Sequence, residues 1–564
     1  MFKSFRLSMT WLHTWFGLVL GFVLMVVFFF GSLSVFDREI DRWAVPETRF
    51  EPQKMPSFDA VLAPIFERIQ PEEEELEAAR ERVGGQLEAT LPLKNWSAYT
   101  THRDPVLSLF AEFAVRNNPN DPDDHVHGHV TIDPRSSALL PHDRLNIGSD
   151  FFYPMHYSLH LDWLSLGIWI VGVAALVMLA ALVSGVVMHR KLFKEFFTFR
   201  PQKNSQRSVL DLHNLTGVVA LPFHFMFALT GLIIFAGIYF PVSETVFEPL
   251  AQKHEQAAAN AKSLAFEPAG KKARLASVDA MVTEAKRRWA ARGMPGDVGF
   301  LFVNHVGDEN SHVSIYRAGS DRVTLVGQAV HFEGPTGRVI HEEPAPATAA
   351  SITEFLTGLH LQHFEHWLLR WLYVLGGLSG CVCIATGLVF FVGKRKQRHA
   401  AQRISGARWV DALAITTVTG TLLATLCLLV ANRAFPEALA ERGAWEERVF
   451  WGAWLLAFVH AAWRSSPVLR ARIAPAWREH CYAVMLLAPS AVLLNWITTG
   501  DHLGRTIPLG YWPVAGFDLA LLVTGGIAAF AAGRLRRREA SGMSALPADE
   551  APTSAPPAAE AAHG

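Results

Sequence analysis

Long uncharged runs alternate with polar stretches along this chain. The runs fill 7–36, 163–188, 212–243, 371–393, 412–432 and 481–500, and two shorter ones fill 449–463 and 519–533. A bilayer core takes about 20 apolar residues of helix to cross. The pattern therefore predicts a membrane protein, mainly α, with eight transmembrane helices. Two polar stretches, 37–155 and 244–355, are long enough to fold by themselves as α+β domains. Phe58 to Ile69 and Val278 to Trp289 have the apolar spacing of helices. His312 to Tyr316 and Val323 to Val326 flank the turn residues Gly319, Ser320 and Asp321 and predict a hairpin, and His125 to Asp133 predicts another strand.

The expected order is helix 1 over 1–36, an outer domain over 37–155 and helix 2 over 156–189. A loop over 190–211, helix 3 over 212–243, a second outer domain over 244–355 and helix 4 over 356–393 follow. Then come a loop over 394–411, helices 5 to 8 over 412–533, and a tail over 534–564. From 539 onward the tail is rich in Ala, Pro, Ser and Glu and is expected to be disordered.

Charge orients this plan. Lys3 and Arg6 precede the first run. Arg190, Lys191, Lys194, Arg200, Lys203 and Arg207 follow the second, and Lys394, Arg395, Lys396, Arg398, Arg403 and Arg408 follow the fourth. Arg464, Arg470, Arg472 and Arg478 stand between runs six and seven, and Arg534, Arg536, Arg537 and Arg538 follow run eight. These are alternate connections. The positive-inside rule then puts both termini in the cytoplasm and both long polar stretches outside. The first run has no small-residue cleavage site near Asp37 and is read as a retained helix.

Composition narrows the function classes. Of 564 residues, 50% are hydrophobic and 18% charged, which excludes a soluble enzyme or a secreted domain. With 51 basic and 52 acidic residues, no global charge points to nucleic acid. The 4 cysteines all sit in apolar runs, so there is no disulfide framework and no c-type haem attachment motif. No GxGxxG, Walker A, HExxH or GxSxG string is present. The 24 histidines stand out, because several border or enter the apolar runs, where ionisable groups are costly and usually functional.

Self-comparison reveals a repeat. Leu12-His13, Gly17 and Gly31 recur as Leu212-His213, Gly217 and Gly231. Leu159-His160-Leu161 recurs as Leu359-His360-Leu361, and Ser184-Gly185 as Thr386-Gly387. Ile132 to Arg135 lies opposite Phe332 to Pro335. Each unit is helix, outer domain, helix, so the copies share one topology. A pseudo-two-fold axis along the membrane normal should relate them in a four-helix core, with four C-terminal helices added.

The repeat places His13 and His213 at one depth near the inner ends of their helices, and His160 and His360 at another near the outer ends. Two imidazoles facing across a bundle axis suit one haem ligated from both sides. Without CxxCH the haem would be type b, and two are expected. Gly17 and Gly217, one turn after their histidines, leave room for a macrocycle edge or for close helix packing. His224, near mid-bilayer, lines an electron path, replaces a ligand or bonds a propionate. His189 is an alternative inner ligand. His156, His363 and His366 are within two turns of the outer ligands and can exchange with them. His125, His127 and His129, near Asp121, Asp123 and Asp124, form a solvated strand face more readily than a metal site.

Several strings resemble the PepSY-associated transmembrane proteins. They are Trp11 to Gly17, Phe151 to His160, Ser184 to Arg190, Phe196 to Pro201, Asp211 to Asn214 and Leu221 to His224. The resemblance covers about residues 1–400. It implies a bacterial inner-membrane protein with PepSY-type outer domains, and relatives that are haem-b ferric-siderophore reductases. It maps the family's histidines onto His13, His156, His160, His189, His213, His224 and His360. The string Leu361-Gln-His-Phe-Glu-His366 departs from the pattern.

Two functions follow as expectations. One is a ferric-chelate reductase that takes electrons from a cytoplasmic or quinol donor and delivers them to a ferric siderophore at the outer face. The other is a membrane-anchored PepSY module that binds or restrains a protein such as a protease. Membrane lipid is the expected surrounding in both.

Overall fold

The computed structural model describes residues 5–85, 87–100, 103–116, 118, 121, 123–141, 144–188, 205–240, 267–319, 321–323, 328–343, 348–402, 407–465 and 474–543. His189, the 190–204 part of the inner loop, most of the Val323–Val326 strand and the tail from 544 lie outside them.

Among the described residues, five helices are long and apolar enough to cross a membrane: Trp163–Met188, Trp367–Gly393, Arg408–Ala434, Ala476–Thr499 and Trp512–Glu539. Two bent pairs raise the number to seven if each is one span. The chain is thus a multi-pass membrane protein, mostly helical with a β-sheet region. The helix Arg442–Arg464 carries the shorter apolar run 449–463 together with Glu446, Glu447 and Arg448, and does not pass the same test.

The first and third spans, expected as continuous, are each broken. Phe5–Val19 and Gly21–Ser34 meet at 61°, and Gln206–Val219 and Leu221–Ile234 at 62°. The breaks fall at equivalent places in the repeat, beside Gly21 in one copy and Pro222 in the other. Glycine weakens a helix, and proline has no N–H to continue the ladder.

Contacts divide the chain into two units. The first holds residues 1–394, 436–446 and 510–517, and the second holds 395–435, 447–509 and 518–564. In the first unit, the two outer segments do not form the two separate domains expected from the hydropathy pattern. They share one seven-stranded sheet of order β3-β2-β1-β4-β5-β6-β7. The strands are β1 (Leu93–Tyr99), β2 (Leu107–Ala114), β3 (His125–Ile132), β4 (Val298–Asn304), β5 (His312–Arg317), β6 (Ala329–Glu333) and β7 (Val339–Glu342). All neighbours are antiparallel. At the centre β1 pairs with β4, with Trp96 opposite Val303 and Tyr99 opposite Phe300. An exposed edge at β1 or β4 would invite aggregation, and pairing the two copies removes both edges.

The amphipathic segments predicted near 58 and 278 pack on one sheet face, over Phe58–Phe66 and Val278–Ala291. Phe58 and Phe66 stack on Trp96, and Trp289 and Met281 are buried in the same core. Their starts clasp each other reciprocally. Asp279 accepts from the Ser57 hydroxyl at 2.5 Å and from Phe58 N at 2.7 Å. Asp59 accepts from the Ser277 hydroxyl at 2.6 Å and from Val278 N at 3.0 Å. Each carboxylate satisfies helix-start donors of the other copy, which ties the two repeats together.

In the second unit, the run Ala407–Ala434 contains a wide π turn at Thr416–Gly420. The helix Ala476–Thr499 packs against it, and the buried Asn495 amide donates to Asp518 at 3.3 Å.

Candidate functional site

The broken helices carry His13 and His213 on their first halves. The two rings come together with centroids 6.2 Å apart. His13 Nδ1 donates to Ala181 O at 2.9 Å, and His213 Nδ1 donates to Cys383 O at 2.8 Å. Each acceptor lies on the closing helix of the same repeat unit. A carbonyl can only accept, so the proton sits on Nδ1 and Nε2 is the lone-pair nitrogen of the neutral ring. Metal-bound histidines characteristically donate their other N–H in this way.

A second pair sits toward the sheet, and its membership differs from the expected one. His360 faces His156, with ring centroids 6.0 Å apart, rather than His160. His156 Nδ1 donates to Val27 O at 2.8 Å. The Thr230 hydroxyl lies 2.6 Å from Met226 O and 2.8 Å from His360 Nδ1, and holds that nitrogen in place. His160, expected as the partner of His360, lies apart from this pair. The helix ends at Tyr157, and the chain turns through Leu159 and His160 at φ 55° and 52°. His160 Nε2 donates to Phe151 O at 3.0 Å, and its ring stacks on Phe151.

The segment that presents His156 is fixed from below. Asp41 accepts from Gly148 N at 2.6 Å and from Ser149 N at 3.2 Å, holding the start of Ile147–Phe152. A Cβ on Gly148 would stand 2.0 Å from Asp37 O, so only glycine permits this approach.

Each of the four rings lies against a glycine. A Cβ would come within 2.6 Å of His156 at Gly31 and within 3.1 Å of His360 at Gly231. It would come within 3.3 Å of His13 at Gly185 and within 3.2 Å of His213 at Gly387. The glycines favoured by helical spacing do less. A Cβ on Gly17 would meet nothing within 4 Å, and one on Gly217 would meet Cys383 Sγ at 3.3 Å.

His156 and His360 line a cavity of about 410 Å³. Val27, Phe28 and Phe227 are among its apolar walls, and Asp37, Arg38, Tyr99 and Arg103 among its polar ones. Arg103 pairs with Asp37 at 2.9 Å and Arg38 with Asp104 at 3.2 Å. Burial alone would raise the Asp37 carboxyl, but Arg103 and Arg38 hold it below the usual range, so it stays ionised. The polar wall is therefore nearly balanced in charge.

The other sequence candidates separate from the pairs. His224 is buried, its Nε2 3.2 Å from Gly376 O, and Phe28 packs edge-on against its ring. His363 lines the cavity beside His360. His127 bonds Glu75 at 3.1 Å, and His129 stacks on Phe110. Among the described residues, no group of three or more His, Cys, Asp and Glu is arranged to hold a metal ion. Sequence reasoning missed a histidine pair in the second unit, His460 and His480. They bond directly, Nδ1 to Nε2, at 3.1 Å. Their surrounding runs lie outside the repeat, so no symmetry flagged them.

Residues 10–394 match the model of a family described as PepSY-associated TM region. The uncharacterized protein PA4219 of Pseudomonas aeruginosa is 23% identical over 391 residues, covering 67% of this chain and 92% of that protein. The chain belongs to the PepSY-associated transmembrane family.

Proposed function

We propose that this PepSY-associated membrane protein is a haem-b electron conduit, with one haem between His13 and His213 and one between His156 and His360. One observation carries the reading: two imidazole pairs at 6.2 and 6.0 Å, each ring anchored through Nδ1 and backed by a glycine. Haem b held by these imidazoles would supply one-electron transfer.

The chain's own residues supply the rest. The carbonyls of Ala181, Cys383 and Val27 accept from Nδ1–H and raise the basicity of Nε2, and the Thr230 hydroxyl stands at His360 Nδ1. The four glycines keep side chains away from the rings. Apolar walls exclude water around the outer pair, while Arg38 and Arg103 present cations at its polar side.

On this reading the eight-helix topology, with both termini cytoplasmic, lies in a bacterial inner membrane. Electrons enter on the His13 and His213 side from a cytoplasmic or quinol donor. They leave on the His156 and His360 side and reduce a ferric chelate, such as a ferric siderophore, at the outer face. The activity is then that of a ferric-chelate reductase. The competing reading is a membrane-anchored module that binds a protein such as a protease. It rests on the sheet alone and leaves four paired imidazoles without a role.

Optical spectroscopy of the purified full chain tests the proposal. A Soret band with split α and β bands on reduction, and a low-spin six-coordinate signal, is the expected result. Folded protein without colour would overturn it in favour of the binding module.

A further inference from the structure

The second unit carries a line of hydrogen-bonding groups that the conduit does not use. Thr419 lies in the π turn Thr416–Gly420, a feature that often marks functional positions in helices. Its Oγ1 is 2.8 Å from Ile415 O and 2.7 Å from His480 Nδ1. His480 Nε2 is 3.1 Å from His460 Nδ1. His460 Nε2 is 3.1 Å from Glu479 Oε2. The line runs from a buried end, with His480 4% exposed, to an open end where the His460 and Glu479 side chains are 34% and 29% exposed.

The donors and acceptors along this line can be counted. In a first register Thr419 donates to His480 Nδ1, His480 Nε2–H donates to His460 Nδ1, and His460 Nε2–H donates to the Glu479 carboxylate. Both rings are neutral and every group is satisfied. In a second register Thr419 turns its hydroxyl to Ile415 O and accepts from His480 Nδ1–H. His460 then donates Nδ1–H to His480 Nε2 and keeps its Nε2–H on Glu479. Every group is again satisfied. The two rings hold two N–H bonds in the first register and three in the second. The registers therefore differ by one N–H bond, whose proton comes from solvent. A hydroxyl with two acceptors in reach is what lets both registers close without an orphaned buried nitrogen.

We infer that Thr419, His480, His460 and Glu479 form a site that binds one exchangeable proton in the C-terminal helices, with Thr419 as its two-way hydroxyl. The spacing separates this site from the haem pairs. Its ring centroids are 5.2 Å apart, and a direct nitrogen–nitrogen bond leaves no place for an iron atom. The facing charges are few. Glu479 is bound by Arg464, with Nε at 2.9 Å, and the neighbouring Arg478 pairs with Glu539. Arg464 also feels Glu539. The buried Asp411 belongs to the same helical run as Thr419, nearer its start. The Arg464 guanidinium holds the Glu479 carboxylate ionised and in place, so the added proton sits on the imidazoles, beside that carboxylate.

The test uses the full chain, labelled with ¹⁵N-histidine, in lipid nanodiscs. His460→Asn and His480→Asn assign the two rings. In an NMR pH titration both rings should change together in one transition of a single proton. His480 should switch from an Nε2–H to an Nδ1–H tautomer as His460 becomes doubly protonated. Thr419→Val leaves His480 Nδ1 without its hydroxyl partner in both registers and should abolish the coupled tautomer switch; Thr419→Ser should restore it. Independent titration of the rings, a His480 tautomer that does not change, or a tautomer switch that persists unaltered in Thr419→Val would overturn the proposal.

Discussion

The two core histidine pairs and the C-terminal pair use the same side chain for opposite purposes. In the core, each Nδ1 is spent on a carbonyl or hydroxyl of a neighbouring element, and partners stand 6.2 or 6.0 Å apart. In the second unit, the rings of His460 and His480 spend nitrogens on each other and close to 5.2 Å. The difference lies in where the second nitrogen is anchored. Outside anchoring leaves Nε2 of each core ring free of the partner ring, the arrangement the proposed haem sites need. Mutual bonding removes the gap and leaves a place for a proton.

The largest effect should come from the core ligands. His156→Ala or His360→Ala should lower haem content from about two per chain to about one, and so should His13→Ala or His213→Ala. His460→Ala and His480→Ala should leave it unchanged. Pyridine haemochrome assays measure this directly, and loss of haem in His480→Ala would erase the distinction between the regions.

The glycines provide a sharper test of the same contrast. A Cβ at Gly31 would press on His156 at 2.6 Å, so Gly31→Ala should either empty the outer site or cost about 1–3 kcal/mol in thermal unfolding. Gly452, in the second unit, has open space at its Cβ position, and Gly452→Ala should behave as wild type.

A smaller effect is expected at His160. Its Nε2 holds a backbone carbonyl away from the pair, and asparagine tolerates the positive φ. His160→Asn should retain full haem content by the same assay. Halved content would return His160 to the outer pair and displace His156.

The smallest effect concerns the sheet. Burial, with His305 and His331 beside it, pushes the His312 imidazole down to about 4. An unfolded histidine titrates near about 6.5. The unfolded chain therefore binds the extra proton first. Sheet stability should be full above about 6.5, fall as the pH drops toward about 4, and level off below it. Hydrogen exchange of β5 amides across that window should show the loss, and His312→Gln should flatten it.

Much was legible along the chain. Apolar runs of sufficient length reported the spans, since a bilayer imposes one requirement on every helix that crosses it. The repeat reported the equivalent histidines, and His13 does face His213. Amphipathic spacing located Phe58 and Val278 on their helices, because burial on one face leaves a periodic trace.

What tertiary structure decided was pairing. His156 and His160 are one helical turn apart by spacing, and periodicity ranks them equally. The helix stop at Tyr157 turns one ring toward His360 and the other onto Phe151. Equal hydropathy likewise described two outer segments as two domains. The β1–β4 bonds that merge them are made by backbone atoms, which every residue carries alike. The meeting of His460 with His480 has the same cause: two positions on separate helices, with no shared period, become neighbours only when those helices pack.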